Sequence, residues 1–158
     1  MTAPVGSFAL VLNTHLPWLA HHGAWPVGEE WLHQAWAGSY LPVLELLTRL
    51  AAEGRTELVS LGITPVLANQ LDDPYCRNEF ATWLGFWQVR AEELARRGDA
   101  DAARLAATEF RSALAAQELL AGPWSAGAAP MLRALAQSGA IELLGGPATH
   151  PFQPLLSE

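Results

Sequence analysis

Between Asn13 and Leu32 the chain reads N-T-H-L-P-W-L-A-H-H-G-A-W-P-V-G-E-E-W-L. Those twenty positions hold the histidines His15, His21 and His22, the tryptophans Trp18, Trp25 and Trp31, and the pair Glu29-Glu30. Imidazole, carboxamide and hydroxyl groups hydrogen-bond to hydroxyl-rich ligands, and indole faces cover C–H surfaces. That mixture suits sugar rings, which have apolar faces and hydroxyl edges. Two further polar positions belong with it, Thr64 and the Thr149-His150 pair. Adjacent carboxylates on a helix point apart, so Glu29 and Glu30 read better as a first helical turn favoured by the helix dipole than as an acid/base pair.

Each polar cluster follows an apolar run of strand length. Phe8–Leu12 precedes Asn13 and His15, Leu58–Leu61 precedes Thr64, and Ile141–Leu144 precedes His150. Phe8–Leu12 is a continuous apolar run, as expected of a strand buried on both faces. Helices are predicted over 28–39, from Pro42 to Gly54, from Pro65 to about Leu71, over 75–97, over 101–120 and over 131–137. The stretch 121–129, rich in Gly, Pro and Ala, reads as a loop. Strand, helices, strand, helices, strand is the order of an α/β protein with parallel strands. In such folds the carboxyl ends of the strands carry the site. Asn13, His15, Thr64 and His150 are therefore expected at one end, with Trp18 and Trp25 at the rim.

The remaining candidates have structural readings. Trp31, Trp36, Trp83 and Trp87 fit helix faces turned to the core. His21 and His22 read as exposed loop residues. Glu142, inside an apolar run, would need a partner if buried. Cys76 has no base nearby in sequence and reads as inert. No nucleophile triad, phosphate loop or metal spacing is present, so neither catalytic residues, a metal nor a cofactor is assigned.

Composition bounds the partners. The chain has 158 residues, 51% hydrophobic, with a net charge of −7. All nine basic residues are arginines, and no cluster exceeds Arg96-Arg97. Nucleic acid and an anionic membrane are excluded as expected partners. No apolar run reaches the roughly 18 residues of a membrane span. A single cysteine and an N-terminal stretch without basic residues fit a soluble, cytoplasmic protein.

The run from Asn13 to Leu32 resembles glycoside hydrolase family 57, and within it the α-1,4-glucan branching enzymes. The likeness continues through S-Y-L-P-V-L, S-L-G-I-T-P-V-L-A-N-Q-L and I-E-L-L-G-G-P-A-T-H-P-F-Q-P-L-L. It implies a seven-stranded (β/α) barrel, of which residues 1–158 form the N-terminal segment with about three parallel strands. It also implies retaining transfer of α-1,4-glucan segments to make α-1,6 branches. His15 matches the second histidine of a His-x-His-Leu-Pro motif, Asn13 stands where the first is usual, and His150 matches the histidine of the second motif. The family's Trp-Leu-Pro-Glu nucleophile motif and acid/base Asp are not in this sequence. Retaining chemistry needs two carboxyl groups about 5–5.5 Å apart. The chain alone is therefore expected to be inactive, binding α-glucan, with a second polypeptide completing the barrel as an expected partner. The competing readings are a related α-amylase or 4-α-glucanotransferase, and a non-catalytic glucan-binding or interaction module.

Overall fold

A computed structural model describes residues 6–23 and 28–156. Its sheet has three parallel strands in the order β1 (Val11–Thr14), β2 (Val59–Ile63) and β3 (Ile141–Leu144). Among the described residues there are six α-helices: α1 (Glu29–Ala35), α2 (Leu41–Ala52), α3 (Pro65–Asp72), α4 (Pro74–Arg97), α5 (Ala100–Ala121) and α6 (Ala129–Gln137). The α/β architecture and parallel order agree with the sequence reading. The sheet is open, with β1 and β3 both at edges.

Register assigns the two faces, because paired residues share a face and neighbours alternate. Leu12, Leu61 and Leu143 lie in one row, and Leu61 and Ile141 on that face are buried under the helices. The other face carries the rows Val11–Ser60–Glu142 and Asn13–Gly62–Leu144. It is the more polar face. Glu142 is exposed there and accepts a 2.8 Å bond from Ser60 Oγ, so it is not the buried carboxylate its apolar neighbours suggested.

Strand β1 starts three residues later than the apolar run predicted. Phe8 is 87% exposed, and pairing begins only where Ser60 N–H donates to the Leu10 carbonyl. An edge strand of an open sheet has no neighbour on one side, so two-sided burial fails there. Strand β2 runs through Gly62 instead of stopping at it.

The two helices expected on either side of Pro42 form one continuous run. A π-helical turn, Trp36–Tyr40, joins α1 directly to α2. Proline in a regular helix clashes with the carbonyl four residues back and lacks an N–H. A wider turn just before it relieves both conflicts without breaking the rod.

The core is aromatic. Trp36 is fully buried, stacked on Phe80 at 4.6 Å, and tilted against buried Trp124 at 6.0 Å. Trp124 lies in the stretch read as a loop; that stretch is a chain of turns after α5 that folds an indole inward. Trp83 and Trp87 are half-buried, and Trp31 is 48% exposed, so the expected core role fails for Trp31. Asp73 and Asp99 cap α4 and α5, each accepting two backbone N–H groups. No helix among the described residues is long and apolar enough to cross a membrane.

Candidate functional site

The carboxyl ends of the three strands bring four side chains together. Asn13 is the penultimate residue of β1, and its Nδ2 lies 2.8 Å from His150 Nε2. An amide nitrogen only donates, so His150 Nε2 is the acceptor in this contact. His15, one residue beyond β1, places Nδ1 3.1 Å from Thr64 Oγ1. The His15 and His150 rings stack with centroids 5.0 Å apart and planes 24° from parallel.

Local structure explains why these groups meet. Thr64 is the N-cap residue of α3, yet its side chain makes no cap bond. Its hydroxyl faces His15 instead, while Pro65 at the first helical turn reduces the number of N–H groups needing a cap. His150 holds a left-handed backbone with φ 57, an uncommon conformation outside glycine that surrounding contacts must maintain. Its loop is tied to α3 by Val66 N–H donating to the Ala148 carbonyl. Gly62, paired with Asn13, has no Cβ; one built there would stand 3.1 Å from Asn13 Oδ1.

The segment after β1 is anchored from below. Gln70 of α3, fully buried, accepts from Leu19 N–H at 2.7 Å and Ala20 N–H at 3.3 Å, and donates to the Pro17 carbonyl at 2.9 Å. Glu29 accepts from His21 N–H at 2.7 Å and from the Tyr75 hydroxyl at 2.9 Å. That bond to Glu29 pushes the Tyr75 hydroxyl up to about 12. Glu30 accepts from Trp83 Nε1. Both glutamates stand in the first turn of α1, as the sequence suggested.

Beside the cluster lies a cavity of about 310 Å³. Asn13, Thr14 and His15 form its polar end, Ser39 and Tyr40 of the π turn border it, and leucines make most of the rest. Among the described residues no Asp or Glu lines it. Burial, and secondarily His150, holds the His15 imidazole below the ordinary histidine value, which favours the neutral ring. Cys76 is buried, and burial pushes its thiol up to about 11, so it is a poor nucleophile. Among the described residues no three His, Cys, Asp or Glu side chains converge to hold a metal.

The model of glycosyl hydrolase family 57 matches residues 9–158. The chain belongs to this family. A probable 1,4-alpha-glucan branching enzyme of Mycobacterium tuberculosis is 51% identical over 96% of the chain, which spans 32% of that relative. The 1,4-alpha-glucan branching enzyme of Thermococcus kodakarensis is 33% identical, again over 96% of the chain but 22% of the relative. The crystal structure of a family 57 branching enzyme from Pyrococcus horikoshii superposes with a TM-score of 0.87 at 31% identity, covering 95% of this chain and 28% of that one. An α-amylase from Thermotoga maritima shares the fold, with a TM-score of 0.79 at 18% identity. The chain therefore spans about a third or less of the length of the family members it matches.

Of the six residues singled out in the sequence, four meet in space: Asn13, His15, Thr64 and His150. Trp18 is 39% exposed on the segment after β1. Trp25 lies outside the described residues. Sequence reasoning missed Gln70, Ser39 and Tyr40. Gln70 left a readable signal, since it falls three residues after Leu67 on the buried face of α3. Ser39 and Tyr40 reach the cavity because of the π turn, which the helix pattern does not encode.

Proposed function

We propose that this chain provides the strand-end α-glucan-binding part of a site for 1,4-α-glucan branching, with Asn13, His15, Thr64 and His150 as its polar contacts. The convergence of these four side chains at the carboxyl end of a parallel sheet carries the reading. A neutral His15 and an oriented His150 present ring nitrogens to sugar hydroxyls, and Trp18 offers an apolar face. The branching activity named for the similar Mycobacterium and Thermococcus proteins supports the substrate class.

Retaining transfer requires two carboxyl groups about 5–5.5 Å apart. Among the described residues none lines the cavity. In this reading the nucleophile and the acid/base come from outside these 158 residues, the remaining barrel strands come from a further polypeptide segment, and the chain by itself binds without turning over. The setting is cytoplasmic α-glucan synthesis. The same lack of carboxylates favours, as a second reading, a glucan-binding module that never takes part in catalysis.

Two measurements test the proposal. Maltoheptaose titration followed by saturation-transfer NMR should give binding that weakens about tenfold in His15→Ala and His150→Ala, the scale of losing one or two hydrogen bonds. Purified chain incubated with amylose should leave the iodine absorbance unchanged and form no α-1,6 linkages. Turnover by the wild-type chain that disappears in Glu142→Gln would place the chemistry on these strands and sink the reading.

A further inference from the structure

Helix α3 is tied to three separate parts of the strand-end site. At its N-cap, Thr64 Oγ1 lies 3.1 Å from His15 Nδ1. In its first turn, Val66 N–H donates to the Ala148 carbonyl at 3.2 Å and so holds the loop of His150. Further along, Gln70 reaches the segment after β1. Its Oε1 accepts from Leu19 N–H at 2.7 Å and Ala20 N–H at 3.3 Å, and its Nε2 donates to the Pro17 carbonyl at 2.9 Å and the Val66 carbonyl at 3.3 Å. A side-chain amide has two acceptor lone pairs and two donor hydrogens, and all four are engaged. The amide cannot be turned over, because its oxygen meets only N–H groups and its nitrogen only carbonyls.

The bonds fall on both sides of one residue. Trp18 stands between Pro17 and Leu19, so a single buried side chain grips the backbone before and after it. Leu16, Leu19 and Ala20 are buried, whereas the Trp18 side chain is 39% exposed. Among the described residues the indole is paired with no other aromatic ring. Buried leucines alone would hold the segment against the helix. They would not set its register or rotation, because apolar contact is non-directional. Hydrogen bonds to a fully engaged amide set both. Trp18 is three residues from His15, at most about 11 Å along an extended chain, so one short oligosaccharide can touch both.

We propose that Gln70 is a positioning residue of the strand-end site: by gripping the backbone on either side of Trp18, it fixes the indole relative to His15 and His150. The inference rests on the α-glucan reading given above, in which Trp18 supplies an apolar face. Gln70 itself touches no sugar, since it is fully buried beneath the segment. Its contribution is preorganisation. An indole on a fixed backbone has less freedom to lose when a sugar ring arrives. Helix α3 then serves as a common frame, with Thr64, Val66 and Gln70 each tying one sugar-facing element to the same short helix. Loss of Gln70 should therefore weaken binding through Trp18 and through no other group.

The test is a double-mutant cycle on the full chain, with maltoheptaose affinity from calorimetry and ¹⁹F NMR of 5-fluorotryptophan. Trp18→Ala should weaken binding about tenfold and Gln70→Leu about fivefold, while the double variant binds no more weakly than Trp18→Ala alone. Leu120→Ala, a core truncation in α5, should lower stability and keep wild-type affinity. In the sugar-free chain the Trp18 resonance, assigned through Trp18→Phe, should shift in Gln70→Leu while those of buried Trp36 and Trp124 stay. Gln70→Glu supplies a rescue and keeps the test valid should Gln70→Leu fail to fold. Its carboxyl regains one donor and one acceptor when protonated, so its deficit relative to the wild type should shrink from pH 8 to pH 5.5. Additive losses in the cycle, or an unmoved Trp18 resonance in Gln70→Leu, would overturn Gln70 as a positioning residue and leave the strand-end site standing. An equal loss of affinity in Leu120→Ala would assign the effect to stability and overturn it too. Wild-type affinity in Trp18→Ala would remove the indole from the site, and the inference with it, while His15 and His150 keep their place. A wild-type chain that binds no maltoheptaose would overturn the α-glucan reading and this inference together.

Discussion

Asn13 and His150, 137 positions apart in the chain, are joined by a 2.8 Å contact between amide nitrogen and ring nitrogen. The contact depends on a glycine. Gly62 pairs with Asn13 across the β1–β2 ladder, and a methyl there would press on Asn13 Oδ1 at 3.1 Å. Gly62→Ala should turn the Asn13 side chain away and leave His150 without its partner. Because Asn13 and His150 are exposed, the melting temperature should change little, while maltoheptaose affinity falls about fivefold, the scale of one hydrogen bond. Ring ¹⁵N shifts of His150 report the tautomer directly. If they match those of the wild type, the glycine is not what orients this pair.

Two imidazoles are held below the ordinary value of 6.5, and both make stability pH-dependent in the same sense. His15 is lowered by burial and by His150; His33 is lowered by burial, partly offset by Glu29 and Glu30. A group whose folded value is lowered takes up protons more readily in the unfolded chain. Above about pH 6.5 both states are neutral and nothing changes. As pH falls through 6.5 toward the folded values, the unfolded state gains protons first and stability is lost. Melting temperature should therefore be level from pH 8 to 7 and decline from 6.5 to 5.5. His33 is the deeper of the two, and its Nε2 has no partner among the described residues. His33→Leu should flatten the decline; a slope identical to that of the wild type would remove His33 from the account.

The sequence made the parallel strand order and the four-residue cluster readable for a simple reason. Polar residues directly after apolar runs mark strand ends, and strand ends in a parallel sheet share one side. What was not readable depended on partners. Strand β1 shifted from Phe8–Leu12 to Val11–Thr14 because its pairing, not its hydrophobicity, sets its limits. Trp124 looked like part of a loop because Gly, Pro and Ala dominate its neighbours, yet the gap beside Trp36 draws it into the core. The π turn at Trp36–Tyr40 has no compositional mark except Pro42 after it. Glu29 and Glu30 read as a helical first turn, but their partners Tyr75 and Trp83 lie on a distant helix.

The Tyr75–Glu29 bond offers a spectroscopic check on how the segment after β1 is held. Tyr75 is pushed up to about 12, chiefly by its hydrogen bond to Glu29, and Tyr40 is raised by burial. Glu29→Gln keeps an oxygen acceptor for His21 N–H and Tyr75 but removes the negative charge. Ultraviolet titration of the two tyrosines should then show one of them, Tyr75, moving down toward the ordinary value of 10 while the other stays. A Glu29→Gln titration curve superimposable on the wild type would mean that the carboxylate does not hold the hydroxyl.

Gln70 links α3 to the segment that follows the polar end of β1. It is fully buried and bonds the backbone of Pro17, Leu19 and Ala20, the residues that follow His15. Those backbone groups have no strand or helix of their own to satisfy them, and burying them without partners is costly. Gln70→Leu keeps the volume close and removes every bond. It should cost about 2–4 kcal/mol, the sum of stranding two N–H groups and one carbonyl with partial relief by water. Gln70→Glu retains the acceptor for Leu19 and Ala20 but turns a second acceptor oxygen toward the Pro17 carbonyl and buries a charge, and should cost at least as much near neutral pH as the leucine variant. Denaturant melts give both values, and hydrogen exchange at Leu19 and Ala20 localises the effect. Protection at these two amides that survives Gln70→Leu would show that the segment is held by its buried leucines, Leu16 and Leu19, rather than by the glutamine.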